Sequence, residues 1–192
     1  VTLAAGAPAA AHHTNAYTPK DNAISANFKA LKFSIQARKF DVALRLYDAG
    51  AVRTEMLARA ARLPDGLESR TRAALAAGRG PEAEQGLVVF FVALARDLAL
   101  EAERQLAGGA PAAIGPRFLE AIWRYYNLVD FAVGQRDARA SVAMRLAYDD
   151  AETAVRPASA APDPARLRAS FSRIAQILSG LIETTTAPRR DS

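Results

Sequence analysis

The chain has few side chains suited to chemistry, and their positions narrow the options. The only histidines are His12 and His13, and there is no cysteine. A nucleophile needs a base beside it, so a Ser-His-Asp arrangement would have to draw its base from the first residues of the chain. The absence of cysteine removes disulfides, thiol catalysis and thiolate-bound metal. With no histidine after residue 13, the inward Glu-x-x-His pairs of a di-iron bundle are absent. Asp149, Asp150 and Glu152 are the densest acidic group, with Asp130 a possible neighbour. Neighbouring helix residues point about 100° apart, so Asp149 and Asp150 do not converge on one ion. Arg145, four residues earlier, offers Asp149 a partner. Gly78-Arg79-Gly80 runs into Pro81 without the further glycine of a dinucleotide fingerprint, and no strand precedes it. No catalytic residue, metal or cofactor is expected.

Two groups remain as binding candidates. The first is aromatic: Phe118, Trp123, Tyr125, Tyr126 and Phe131 gather in one helical stretch, with Arg124 between them. Tyr, Trp and Arg dominate interface hot spots. One helix face does not hide Trp123 and both tyrosines, so at least one tyrosine is expected to point away from the core. Phe118, Trp123, Arg124, Tyr125 and Tyr126 are therefore expected to border an interface or apolar groove. The second is a basic face of Lys29, Lys32, Arg38, Lys39 and Arg45, within a chain of net charge +5 and pI about 9.9. A solvated helix face is the plainer reading of that stretch, and a nucleic acid is the less favoured partner.

The elements that must position these groups are helices. The chain is 51% hydrophobic and 23% charged and rich in alanine, the best helix former. Apolar residues recur at helical spacing between Gly/Pro clusters. The first helix is expected over residues 22–48, capped by Asp21. Ile24, Phe28, Leu31 and Ile35 form one stripe, and Phe33, Ala37, Phe40 and Leu44 a second. Two stripes imply burial on two sides, or a break near Arg38-Lys39. Further helices are expected over 52–63, 67–77, 81–107, 116–133, 138–155 and from Pro164, with Asp137 and Asp163 as caps. The segment from Leu87 to Ala95 is the most apolar and marks the central helix. It stops at Arg96-Asp97, well short of the ~20 residues that span a bilayer.

Residues 37–49 (ARKFDVALRLYDA) resemble the second half of a tetratricopeptide hairpin, with Phe40, Ala43 and Tyr47 at the aromatic, small and aromatic places. Residues 77–87 echo it faintly. The glycine before the aromatic and a 34-residue recurrence are missing, so the resemblance implies helical hairpins and no repeat family.

The expected fold is all-α: an irregular bundle of about six or seven helices in antiparallel hairpins. Residues 1–20 are expected to be a flexible segment, 21–185 a single helical domain, and 186–192 a disordered tail, with fraying from Thr184. Residues 1–11 (VTLAAGAPAAA) resemble the end of a secretory signal peptide, with a cleavage site before His12. Export to a periplasm is the expected localisation, the cytoplasm the alternative. The expected function is that of a non-catalytic accessory subunit or scaffold that binds another protein or protein complex. The alternatives are a carrier with an apolar pocket between the 87–95 and 118–133 helices, and a nucleic-acid binder using the basic first helix.

Overall fold

A computed structural model describes residues 20–155 and 163–186. The described chain is all-helical, with nine α-helices: α1 (Ala23–Gln36), α2 (Phe40–Asp48), α3 (Ala51–Ala58), α4 (Leu67–Ala76), α5 (Gly80–Ala107), α6 (Gly115–Tyr126), α7 (Asp130–Arg136), α8 (Ala138–Val155) and α9 (Pro164–Thr186). The count exceeds six or seven because two expected helices are each broken in two. The first breaks at Ala37–Lys39, the alternative that the two stripes left open. The other breaks at Asn127–Val129.

The first break divides the second apolar stripe of the 22–48 segment: Phe40 and Leu44, on α2, pack partly buried against the core, whereas Phe33 and Ala37 stay exposed. Phe28, Leu31 and Ile35 are buried, whereas Phe33 is 71% exposed. The chain turns before a second side of α1 can be covered. The N-cap is Asn22 and not Asp21. Its Oδ1 accepts from Ser25 N at 2.9 Å, and Ser25 Oγ accepts from Asn22 N at 2.9 Å, a reciprocal capping box. Asp21 instead accepts from Ser25 Oγ and Lys29 Nζ. The expected caps at Asp137 and Asp163 are present: their Oδ1 atoms accept from Ala140 N and Ala165 N, each at 2.9 Å. The helix expected to fray from Thr184 continues to Thr186.

The corners α1–α2 and α4–α5 are built alike. In each, the helix closes with paired backbone bonds, Arg38 N to Ile35 O and Lys39 N to Ser34 O, then Gly78 N to Leu75 O and Arg79 N to Ala74 O. This is the Schellman closure, whose third position is left-handed. Arg38 has φ 56° and Gly78 φ 67°. The next residues, Lys39 and Arg79, share φ near −89° and −88°. The faint echo between 37–49 and 77–87 is thus a repeated backbone geometry, with Ala43 and Ala83 both fully buried after it.

The centre is α5. Every residue from Gly86 to Ala95 is buried, and the helix packs against α1, α4, α6 and α9. A helix apolar on all sides can only be enclosed on all sides. Gly86 permits the approach of α4, since a Cβ there would stand 2.1 Å from Thr71 Oγ1. The start of α5 meets the end of α9 through Gln85 Nε2, which donates to Thr185 O at 2.8 Å. On α9 the expected stripe of Leu167, Phe171, Ile174, Leu178 and Ile182 is buried. Among the described residues no helix is long and apolar enough to cross a membrane.

Candidate functional site

Helix α6 offers its aromatic residues only in part as the sequence suggested: Phe118 borders a cavity with Leu98 and Ile114, whereas Trp123 and Tyr126 are buried. The helix lies between α5 and α8, so two of its faces are covered. Trp123 is buried against Tyr148 of α8, with ring centroids 5.1 Å apart, and against Tyr126 at 6.3 Å. Tyr126 is fully buried. Tyr125 is half-buried, 5.9 Å from the Phe91 ring, and its hydroxyl accepts from Asn22 Nδ2 at 2.9 Å. Phe118 is half-buried against Phe171 of α9. Arg124 bonds Glu120 at 2.9 Å, the expected i,i+4 pair. Trp123 and Tyr126 are therefore core residues out of a partner's reach. The expectation that one tyrosine points away failed because it counted one buried face where there are two.

The break after Tyr126 exposes a different aromatic residue. Asp130 opens α7 and is only 7% exposed. Its carboxylate accepts from Ser141 Oγ at 3.0 Å and pairs with Arg145, both on α8. Arg145 thus serves Asp130 across the two helices. The Tyr126 hydroxyl is buried nearby without a regular hydrogen bond. Burial, and then the Asp130 charge, push it well above the usual phenol range. This latch fixes α7 on α8, with Val133 turned inward and the adjoining Phe131 74% exposed. On α8, Val142 and Leu146 follow directly after the two residues that grip Asp130. They lie one turn apart and are 56% and 54% exposed. Three exposed apolar side chains thus adjoin the latch on two helices. Phe131 belonged to the aromatic stretch in the sequence. Val142 and Leu146 were missed, because nothing local marks an apolar residue left outside.

The basic residues separate into two sets. Lys29 Nζ lies 2.8 Å from Asp21, and Arg45 lies 3.1 Å from Asp41. Lys32, Arg38 and Lys39 hold no carboxylate among the described residues. Lys32 lines a small cavity with Phe28, Glu84, Leu87, Leu128 and Ala132. Arg38 and Lys39 stand exposed at the α1–α2 corner.

Three cavities lie between α5 and the 118–133 segment. The cavity at Lys32 measures about 40 Å³. A second, between Val88, Val92, Val133 and Leu181, measures about 250 Å³. Small-molecule pockets run from roughly 300 to 1,000 Å³; neither reaches that size, whereas a third, between Leu98 and Gln105 of α5 and Phe118 and Ala121 of α6, measures about 340 Å³. A groove of about 570 Å³, which the sequence did not point to, lies between α4, α5 and the end of α9, with Arg70, Arg79, Glu82 and Gln85 along it. Among the described residues no three His, Asp or Glu side chains are grouped to hold a metal ion. Asp150 faces Arg173 of α9 at 3.5 Å. His12, His13 and the signal-like residues 1–11 lie outside the described residues, as do most of the expected N-terminal segment and residues 187–192 of the expected tail. Compared with protein-family models, curated proteins and solved structures, the chain matches none.

Proposed function

We propose that the chain is a non-catalytic helical scaffold or accessory subunit that binds another protein, exported to the periplasm. In this reading the helices form antiparallel hairpins within one domain. The observation that carries it is the exposure of Phe131, Val142 and Leu146, each next in sequence to a residue of the Asp130 latch. Scattered surface apolar residues need no explanation. Here three large ones adjoin a buried carboxylate latch that holds their helices in place, and a surface already held rigid loses less conformational freedom on binding. The export part rests on residues 1–11 alone.

The test is purification from the native source under mild conditions. A stoichiometric protein partner is expected with the wild-type chain. Phe131→Ser and Leu146→Ser should each lose it while the thermal melt stays in place. A wild-type chain that purifies alone, or variants that keep the partner, would count against the reading.

A further inference from the structure

Arg38 occupies a backbone position that suits glycine. Its φ is 56°, and the matching corner forty residues on puts Gly78 there at φ 67°. The left-handed conformation crowds Cβ against the following carbonyl oxygen, so an arginine is a strained choice. The backbone position serves the helix closure through the bond from Arg38 N to Ile35 O, but the guanidinium is exposed and holds no carboxylate among the described residues. A closure that glycine would serve with less strain carries here a long cationic side chain, which directs attention to what that side chain could reach.

The surroundings of Arg38 are cationic and apolar. Lys39 follows it, exposed and likewise without a carboxylate. The two similar corners touch: Phe40 packs where a Cβ on Gly78 or Gly80 would meet its ring at 3.5 and 3.4 Å. This brings Arg79 to the same edge of the molecule. Among the described residues, the Arg79 guanidinium pairs only with Glu82, in an exposed contact of 3.8 Å. Phe33, 71% exposed, sits one turn before the corner, its carbonyl accepting from Ala37 N. Arg38, Lys39 and Arg79 thus share an edge, with an aromatic ring nearby.

We propose that this double corner docks an acidic, partly apolar segment of a protein partner, with Arg38 and Lys39 engaging its carboxylates and Phe33 its apolar side chains. The proposal rests on the reading of the chain as a protein-binding scaffold and names the chemistry of one partner segment. Charge complementarity selects the occupant. Three cations would neutralise only about three phosphates, well short of the six to ten contacts that drive strong nucleic-acid binding. Asp41 and Glu82 open the two following helices and interrupt the positive field that a continuous phosphate backbone would need.

The experiment titrates the full chain with a fluorescein-labelled peptide of alternating Glu and Leu. The same peptide with Gln for Glu, and oligothymidylate, serve as the other arms. The wild type should bind the Glu peptide, the Gln peptide at least about tenfold more weakly, and the affinity should fall with salt. Arg38→Gly relieves the left-handed strain, so its thermal midpoint should rise while its affinity falls about tenfold, one decade being the scale of one good charged contact. Lys39→Ser should weaken binding without shifting the midpoint. Absence of binding by the wild type, undiminished binding by both variants, or tighter binding of oligothymidylate would overturn the proposal. If Phe131→Ser loses a native partner while the wild type ignores the Glu peptide, the corner proposal fails and the scaffold reading stands. If the wild type has neither partner nor peptide affinity, both fail.

Discussion

Trp123 and Phe131 come from one aromatic stretch and meet opposite surroundings. Trp123 is enclosed by Tyr126 and Tyr148, whereas Phe131 is 74% exposed on α7. Their truncations should therefore diverge. Trp123→Ala removes a large buried ring and leaves a cavity, which costs about 3–5 kcal/mol. Phe131→Ala removes an exposed ring and should change stability by no more than about 0.5 kcal/mol. Urea denaturation of both variants measures the difference. Equal losses would show that Phe131 is packed. The separation matters for function, because only the exposed residue can report on partner binding without damaging the core.

Between elements, two kinds of contact set the spacing of the helices. The first is close approach without side chain. Gly86 lets α4 rest on α5, with Thr71 Oγ1 where a Cβ would go. Gly86→Ala should destabilise by about 1–3 kcal/mol through overpacking. Adding Thr71→Ala should restore part of the loss, because it removes the clashing hydroxyl. A double variant no better than the single one would place the strain elsewhere. The second is charge. Arg72 donates to Asp48 through two bonds of 2.8 Å, and Arg53 Nε lies 2.7 Å from Glu68 while also facing Asp48, so α2, α3 and α4 are tied together. The hydrogen bond from Arg72 holds the Asp48 carboxyl below its ordinary value of 3.8. A carboxyl lowered in the folded state stabilises above its unfolded pKa, and that contribution disappears as pH falls through the folded value. Stability should therefore drop as pH falls below 3.8. The drop should be shallower in Asp48→Asn, with Asp21 and Glu101, also held low by Lys29 and Arg104, supplying the remainder. Urea midpoints across that acid range give the slopes; identical slopes would remove Asp48 from the account.

For the whole molecule, one hydrophobic cluster draws on every helix, from Phe28 of α1 through Val133 of α7 to Ile182 of α9. Such continuity predicts a single cooperative unfolding transition. Trp123, the only tryptophan, reports on the centre of that cluster. Its fluorescence and the far-ultraviolet helix signal should melt together, and two separated transitions would divide the chain into independently folding parts. The helical class, the central role of the Leu87–Ala95 segment, the buried stripe of α9 and the caps at Asp137 and Asp163 were legible in the sequence. Period and capping act over a few residues, and the chain writes them locally. The fate of the aromatic residues was not legible. Helix α6 has neighbours on two sides, and the break at Asn127–Val129 depends on Asp130 finding Ser141 and Arg145 on another helix. The same holds at the first corner. A break near Arg38 was one of two readings of the stripes, but that Phe33 would be left in solvent, and that a second corner would lie against Phe40, followed from packing alone. The sequence by itself determined which segments coil and which side of most of them is apolar. Tertiary structure decided which apolar residues stay outside, because exposure depends on neighbours that are distant in the chain.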